Sequence, residues 1–192
     1  VLLDPNKLST DGTVALSQVS FSNNGKYLAY SIARSGSDWN EIYIMDIATG
    51  QLLPDVIHWV KFSGIAWKGD GFYYSAYDAP VAGKEYSNKN EYHKVYYHKV
   101  GDAQSKDQLV FENKDYPLRN CSAIVSEDEA LLFIAETKEQ CNKKGGSHYD
   151  PKQQFMEKNL FYTSCRTSTI LFSKVSRSFQ SVVLQCFKGL MC

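Results

Sequence analysis

The chain has 192 residues, 43% of them hydrophobic and 22% charged, with 21 basic side chains balancing 21 acidic ones. That make-up suits an ordinary globular unit. No uncharged run is long enough for a spanning helix, and a chain without net charge has no global field for nucleic acid or an anionic membrane, so neither partner is expected. The zero conceals a division: residues 1–137 carry a net charge of −6 and residues 138–192 a net charge of +6.

The opening Val1-Leu2-Leu3-Asp4-Pro5 has neither an initiating Met nor a charged-then-apolar leader, which predicts a piece of a longer protein. Val19 to Tyr30 then reads as a hairpin, two strands around the polar turn Ser22-Asn23-Asn24-Gly25. Glu41 to Ile47 follows as a third strand, Ile42 and Ile44 facing one way and Tyr43, Met45 and Ile47 the other, before a turn at Thr49-Gly50. The hairpin recurs over Ile65 to Ser75 around Gly69-Asp70-Gly71, and more weakly over Ala123 to Phe133, the copies lying 46 and 58 residues apart. Lys94 to Val100 is the third strand of the second copy and Asp107 to Phe111 its fourth, a polar insertion at 79–91 absorbing the longer spacing.

Four strands per repeat describe a propeller blade, and the period of two within each element disfavours a helical solenoid. The fold class predicted for residues 1–137 is therefore all-β, a partial β-propeller of about two to three four-stranded blades. An open set of blades is expected to leave apolar side chains such as Ile42, Ile44, Tyr73 and Val95 facing water.

Residues 138–192 form a second, divergent region, basic and rich in cysteine. Leu171, Val175, Phe179, Val182, Cys186 and Leu190 recur at helical spacing, so this tail is expected to be helical or disordered; it could cover a blade edge, or equally be translated intron or out-of-frame sequence. Cys121 stands alone in the first region, and Cys141, Cys165, Cys186 and Cys192 fall in the tail at spacings that match no zinc or redox pattern. The expectation is a reducing, cytoplasmic setting with no metal and no cofactor. Asn120-Cys121-Ser122 is taken as a chance match to a glycosylation acceptor.

Leu3-Asp4-Pro5-Asn6, Asp11-Gly12-Thr13-Val14, Ser35-Gly36-Ser37-Asp38-Trp39, Leu53-Pro54-Asp55, Trp59-Val60-Lys61-Phe62-Ser63, Tyr92-His93-Lys94-Val95-Tyr96-Tyr97-His98 and Gln104-Ser105-Lys106-Asp107 run in the order and spacing of one family. Over residues 1–137 the chain resembles the prolyl oligopeptidases, in the early blades of their propeller. The resemblance implies a parent serine-type endopeptidase that cleaves short proline-containing peptides after proline. An α/β-hydrolase domain would carry its Ser, Asp and His, and the propeller would gate access.

That chemistry needs a G-x-S-x-G elbow, which is absent here: Gly145-Gly146-Ser147-His148-Tyr149 lacks the second glycine and reads as a polar loop. His58, His93 and His98 lie in or beside strand patterns, where packed or surface imidazoles are commoner than catalytic ones, and His148 sits in that same loop. No catalytic residue is assigned, and the chain alone is expected to be inactive. Two positions carry over from the resemblance: Phe62 as an apolar wall of the substrate cleft, and Asp38 as an acidic group facing the catalytic domain. Cys141 is one residue out of step with a pocket cysteine of some members, and Asn159-Leu160-Phe161-Tyr162 resembles the next strand, arriving late. The rival function is a free-standing propeller-like module that binds protein or peptide without catalysis.

Overall fold

The structure, a computed structural model, describes residues 1–80, 83 and 89–137, together with the backbone of 160–165 and 168–173. Strands β1 (Val14–Phe21), β2 (Tyr27–Arg34), β3 (Asn40–Asp46) and β4 (Leu52–Val60) form an antiparallel meander in chain order. The β1–β2 turn closes as its sequence predicts. Ser22 Oγ accepts the amide N–H of Tyr27 at 2.8 Å, the Gly25 N–H reaches the Ser22 carbonyl at 2.9 Å, and Gly25 takes a φ of 68° that suits glycine.

The pattern repeats in β5 (Ala66–Lys68), β6 (Gly71–Ala76), β7 (Lys94–Lys99) and β8 (Gln108–Glu112), and begins again in β9 (Asn120–Val125) and β10 (Leu132–Thr137). The first two blades join through a single β4–β6 pair, Val60 opposite Ala76, into one eight-stranded sheet. A hairpin of β11 (Leu160–Cys165) and β12 (Ser168–Ser173) completes the third blade as a separate sheet, but β12 rather than β11 pairs with β10, giving the order β9-β10-β12-β11. Leu171, the first position of the expected helical stripe, thus lies in a strand, and the remaining stripe positions fall outside the described residues. So do Cys141, Ser147 and His148 and most of the insertion at 79–91.

The blades stack face against face. Ile42, Ile44, Ile57 and Val60 of the first pack on Ile65, Trp67, Phe72, Tyr74 and Ala76 of the second, while Val95 of the second packs on Cys121 and Ile134 of the third with Tyr73 alongside. This corrects the expectation of water-facing Ile42, Ile44 and Val95, which are fully buried, and Tyr73 is half-buried. Even three blades supply each other's missing layer, so the exposed apolar side chains on described strands are instead Val19 and Phe21 on β1, Leu52 on β4, Leu109 and Val110 on β8 and Ile124 on β9.

Polar contacts add to the stacking. Between the first two blades the buried His98 imidazole lies between two carboxylates, Nδ1 at 2.7 Å from Asp107 and Nε2 at 3.3 Å from Asp55. Tyr74 donates its hydroxyl to the other Asp107 oxygen at 2.7 Å, and the Gly101 amide donates to Asp55 at 2.8 Å. At the hairpin turns Glu129 of the third blade accepts from Asn23 Nδ2 of the first at 2.7 Å and from the Gly69 amide of the second at 2.6 Å. Among the described residues no helix is long and apolar enough to cross a membrane.

Candidate substrate-facing site

Strand β4 ends in a cluster of aromatic residues. Between β3 and β4 the register slips, Asn40 opposing Val60 while Ile42 opposes Ile57, so one extra residue bulges from β4 and Trp59 takes a φ of 59°. Phe62, just past the strand, has a φ of 52° and Tyr92 a φ of 59°. Bulky side chains rarely adopt this left-handed region, at a cost of order 1–3 kcal/mol each, and three such residues near one end of the blades show backbone held by its surroundings.

Lys61 is the hub. Its side chain is only 10% exposed, and Nζ lies 3.4 Å from Asp38 Oδ2, 5.1 Å from the centre of the Trp39 ring and 5.3 Å from that of Phe62. The ammonium is thus shared between a carboxylate and two aromatic rings. Asp38 projects from the turn that Ser35 and Gly36 build with positive φ, and its side chain is 76% exposed. Phe62 is 55% exposed, unlike Trp39, Trp59 and Tyr77 around it, and walls a cavity of about 120 Å³ with Ser17, Gln18, Asn40 and Ser63. The two residues assigned from sequence therefore meet through a third, Lys61, that was not.

Behind this surface Trp39 packs edge-on against Trp59 and Tyr77, ring centres 5.7 and 6.1 Å apart, and Tyr77 lies 4.5 Å from the His93 ring. His93 is 2% exposed and both its nitrogens are committed. Nδ1 accepts the Cys121 amide N–H at 2.9 Å, which makes Nε2 the protonated nitrogen, and that N–H donates to the Lys61 carbonyl at 2.8 Å. The Cys121 thiol in turn donates to the His93 carbonyl at 3.0 Å. Burial pulls the His93 pKa down to about 4, the bond to Lys61 acting weakly the other way, and burial with the nearby Glu136 carboxylate pushes the Cys121 thiol up to about 12. A nucleophilic cysteine pair needs the reverse, a stabilised thiolate beside an imidazolium, so this contact is structural.

The other described histidines are no better placed for catalysis. His58 is exposed, 3.6 Å from Glu41, and His98 is enclosed between its aspartates. Asn120, of the glycosylation-like triplet, accepts from the Tyr77 hydroxyl at 2.7 Å. Among the described residues no group of three or more His, Cys, Asp or Glu could hold a metal ion. The geometry offers an apolar, cation-backed surface rather than a reacting centre.

Stacked antiparallel blades of four strands each, with an aromatic surface at one end, define a β-propeller module. The family model of the prolyl oligopeptidase N-terminal β-propeller domain matches residues 1–173, extending past residue 137 through β11 and β12. The chain belongs to this family. It is 46% identical over 136 residues to a prolyl endopeptidase of Elizabethkingia meningoseptica, covering 70% of this chain and 19% of that protein. Prolyl oligopeptidase A of Amanita bisporigera is 37% identical over 158 residues, covering 73% and 21%. A prolyl endopeptidase solved in a study of inter-domain dynamics in catalysis and specificity superposes with a TM-score of 0.65 at 30% identity, covering 92% of this chain and 21% of that one. Prolyl oligopeptidase B of Galerina marginata, bound to a 35-residue hydrolysis and macrocyclization substrate, gives a TM-score of 0.62 at 30% identity, covering 69% and 20%. The chain spans about a fifth of the length of these relatives.

Proposed function

We propose that the chain is the propeller portion of a serine-type endopeptidase that cleaves short peptides after proline. In this reading the propeller gates entry, and an α/β-hydrolase domain outside these residues supplies the Ser, Asp and His. The observation that carries it at the site is Phe62, an aromatic ring kept exposed on a left-handed backbone and backed by Lys61. A solvent-facing ring on a rigid support can stack on a substrate side chain without demanding a polar partner. Asp38, exposed and contacted on one oxygen by Lys61, is suited to pair with a cation of the catalytic domain. The buried thiol of Cys121, unpaired and with its pKa raised, fits a reducing cytoplasmic compartment.

The test is Phe62→Ala in the complete peptidase. Loss of one apolar wall, contacted alike in ground and transition states, removes about 1–2 kcal/mol of binding, so KM for peptides extended beyond the proline rises about 5- to 30-fold while kcat changes little. An unchanged KM for extended peptides returns Phe62 to a structural role.

A further inference from the structure

We propose that His93 is the positioning residue for Phe62, a buried imidazole that fixes the angle at which the exposed ring meets the substrate. The inference rests on the reading of Phe62 as substrate wall and assigns a specificity role to a side chain that touches no substrate. His93 stands where three blades meet: it precedes β7 of the second blade, donates to the carbonyl of Lys61 at the end of the first, and accepts from the amide of Cys121 on the third.

The Lys61 carbonyl belongs to the peptide unit that leads directly into Phe62, so the 2.8 Å bond from Nε2 fixes the plane from which the left-handed Phe62 departs. A backbone conformation that Phe does not favour persists only where its surroundings impose it, and this bond is the one polar restraint on that peptide oxygen among the described residues. Tyr77, packed on the imidazole at 4.5 Å and tied to Asn120, keeps the ring from turning. The Cys121 amide selects the tautomer that leaves a donor on Nε2, so the first and third blades set the Phe62 turn jointly.

The experiment compares Phe62→Ala, His93→Phe, His93→Gln, His93→Asn and the Phe62→Ala/His93→Phe pair in the complete peptidase, with a short reporter ending at the proline and an extended peptide. His93→Phe keeps the volume and loses both bonds; Gln can still reach the Lys61 carbonyl, whereas the shorter Asn can bond only toward Cys121. Expected is a KM rise of about 3- to 10-fold for the extended peptide in His93→Phe and His93→Asn, with kcat and the short reporter nearly unchanged, and recovery in His93→Gln. The double variant should be no worse than Phe62→Ala alone. Additive effects in the pair, equal losses on both substrates, or Gln no better than Asn overturn the proposal. If His93→Phe does not fold, the contrast between Gln and Asn decides alone. A Phe62→Ala enzyme with unchanged KM overturns the substrate-wall reading itself, and with it this one.

Discussion

Replacing Glu129 separates backbone strain from side-chain bonding at a single residue. The turns Ser22-Asn23-Asn24-Gly25 and Ser126-Glu127-Asp128-Glu129 are built alike, each serine hydroxyl bonding the Asx two places on, but the position that is Gly25 in the first is Glu129 in the third, with a φ of 56°. A side chain there costs about 1–2 kcal/mol relative to glycine. Against that stand the bonds from Asn23 and the Gly69 amide at 2.7 and 2.6 Å, worth about 0.5–1.5 kcal/mol each in partly solvated surroundings. Glu129→Ala loses both bonds and keeps the strain, so it should destabilise by about 1–3 kcal/mol; Glu129→Gly loses the same bonds but recovers about 1 kcal/mol. The expected order of denaturation midpoints, followed by tryptophan fluorescence, is wild type above Glu129→Gly above Glu129→Ala. Asn23→Ala should cost less in the Glu129→Ala background than in wild type. An alanine variant as stable as wild type, or glycine below alanine, would refute the reasoning.

Three further outcomes are expected. Because His93 titrates near 4 when folded and near 6.5 when unfolded, the unfolded chain binds the extra proton first; its contribution is whole above pH 6.5 and is lost as pH falls through 4, to about 3 kcal/mol, which urea midpoints at pH 7, 5.5 and 4 would reveal as a slope that His93→Gln lacks. Gly71→Ala should cost about 1–3 kcal/mol or more, since a Cβ there would lie 2.3 Å from the His98 carbonyl and 2.6 Å from the Tyr97 ring; a thermal midpoint within a degree or two of wild type contradicts this. Tyr74→Phe takes one donor from the buried Asp107 and should cost about 1–3 kcal/mol, an expectation that a denaturation midpoint equal to wild type would rule out.

The hairpins were legible in the sequence because their signals are local: a serine, an Asx and a left-handed residue between alternating runs. Strand β4 was not placed, since Pro54 and the buried Asp55 break its alternation, and the partners of Asp55, the Gly101 amide and the His98 imidazole, lie more than 40 residues away in sequence. The burial of Ile42 and Val95 likewise depends on neighbouring blades, which a strand-by-strand reading does not supply. At the site, Phe62 and Asp38 came from family resemblance. Lys61 and His93 were missed as site residues because nothing in Trp59-Val60-Lys61-Phe62 marks the lysine as buried, and the partners of His93 lie 32 and 28 residues away in sequence. The one available sign was a lone histidine beside an aromatic run at the start of a strand, a pattern that fits any packed imidazole equally well.

The central claim, that this chain gates a catalytic domain and does no chemistry itself, is tested most directly by transplanting it. The prolyl endopeptidase of Elizabethkingia meningoseptica, with its matching segment replaced by this chain, and the purified 192-residue chain alone would be offered the same fluorogenic Gly-Pro peptide and the same serine-directed phosphonate. The expected result is turnover and one labelled serine in the hybrid, and neither in the isolated chain. Turnover or stoichiometric labelling of the chain alone, or a folded hybrid whose labelled serine no longer turns over the peptide, would contradict it.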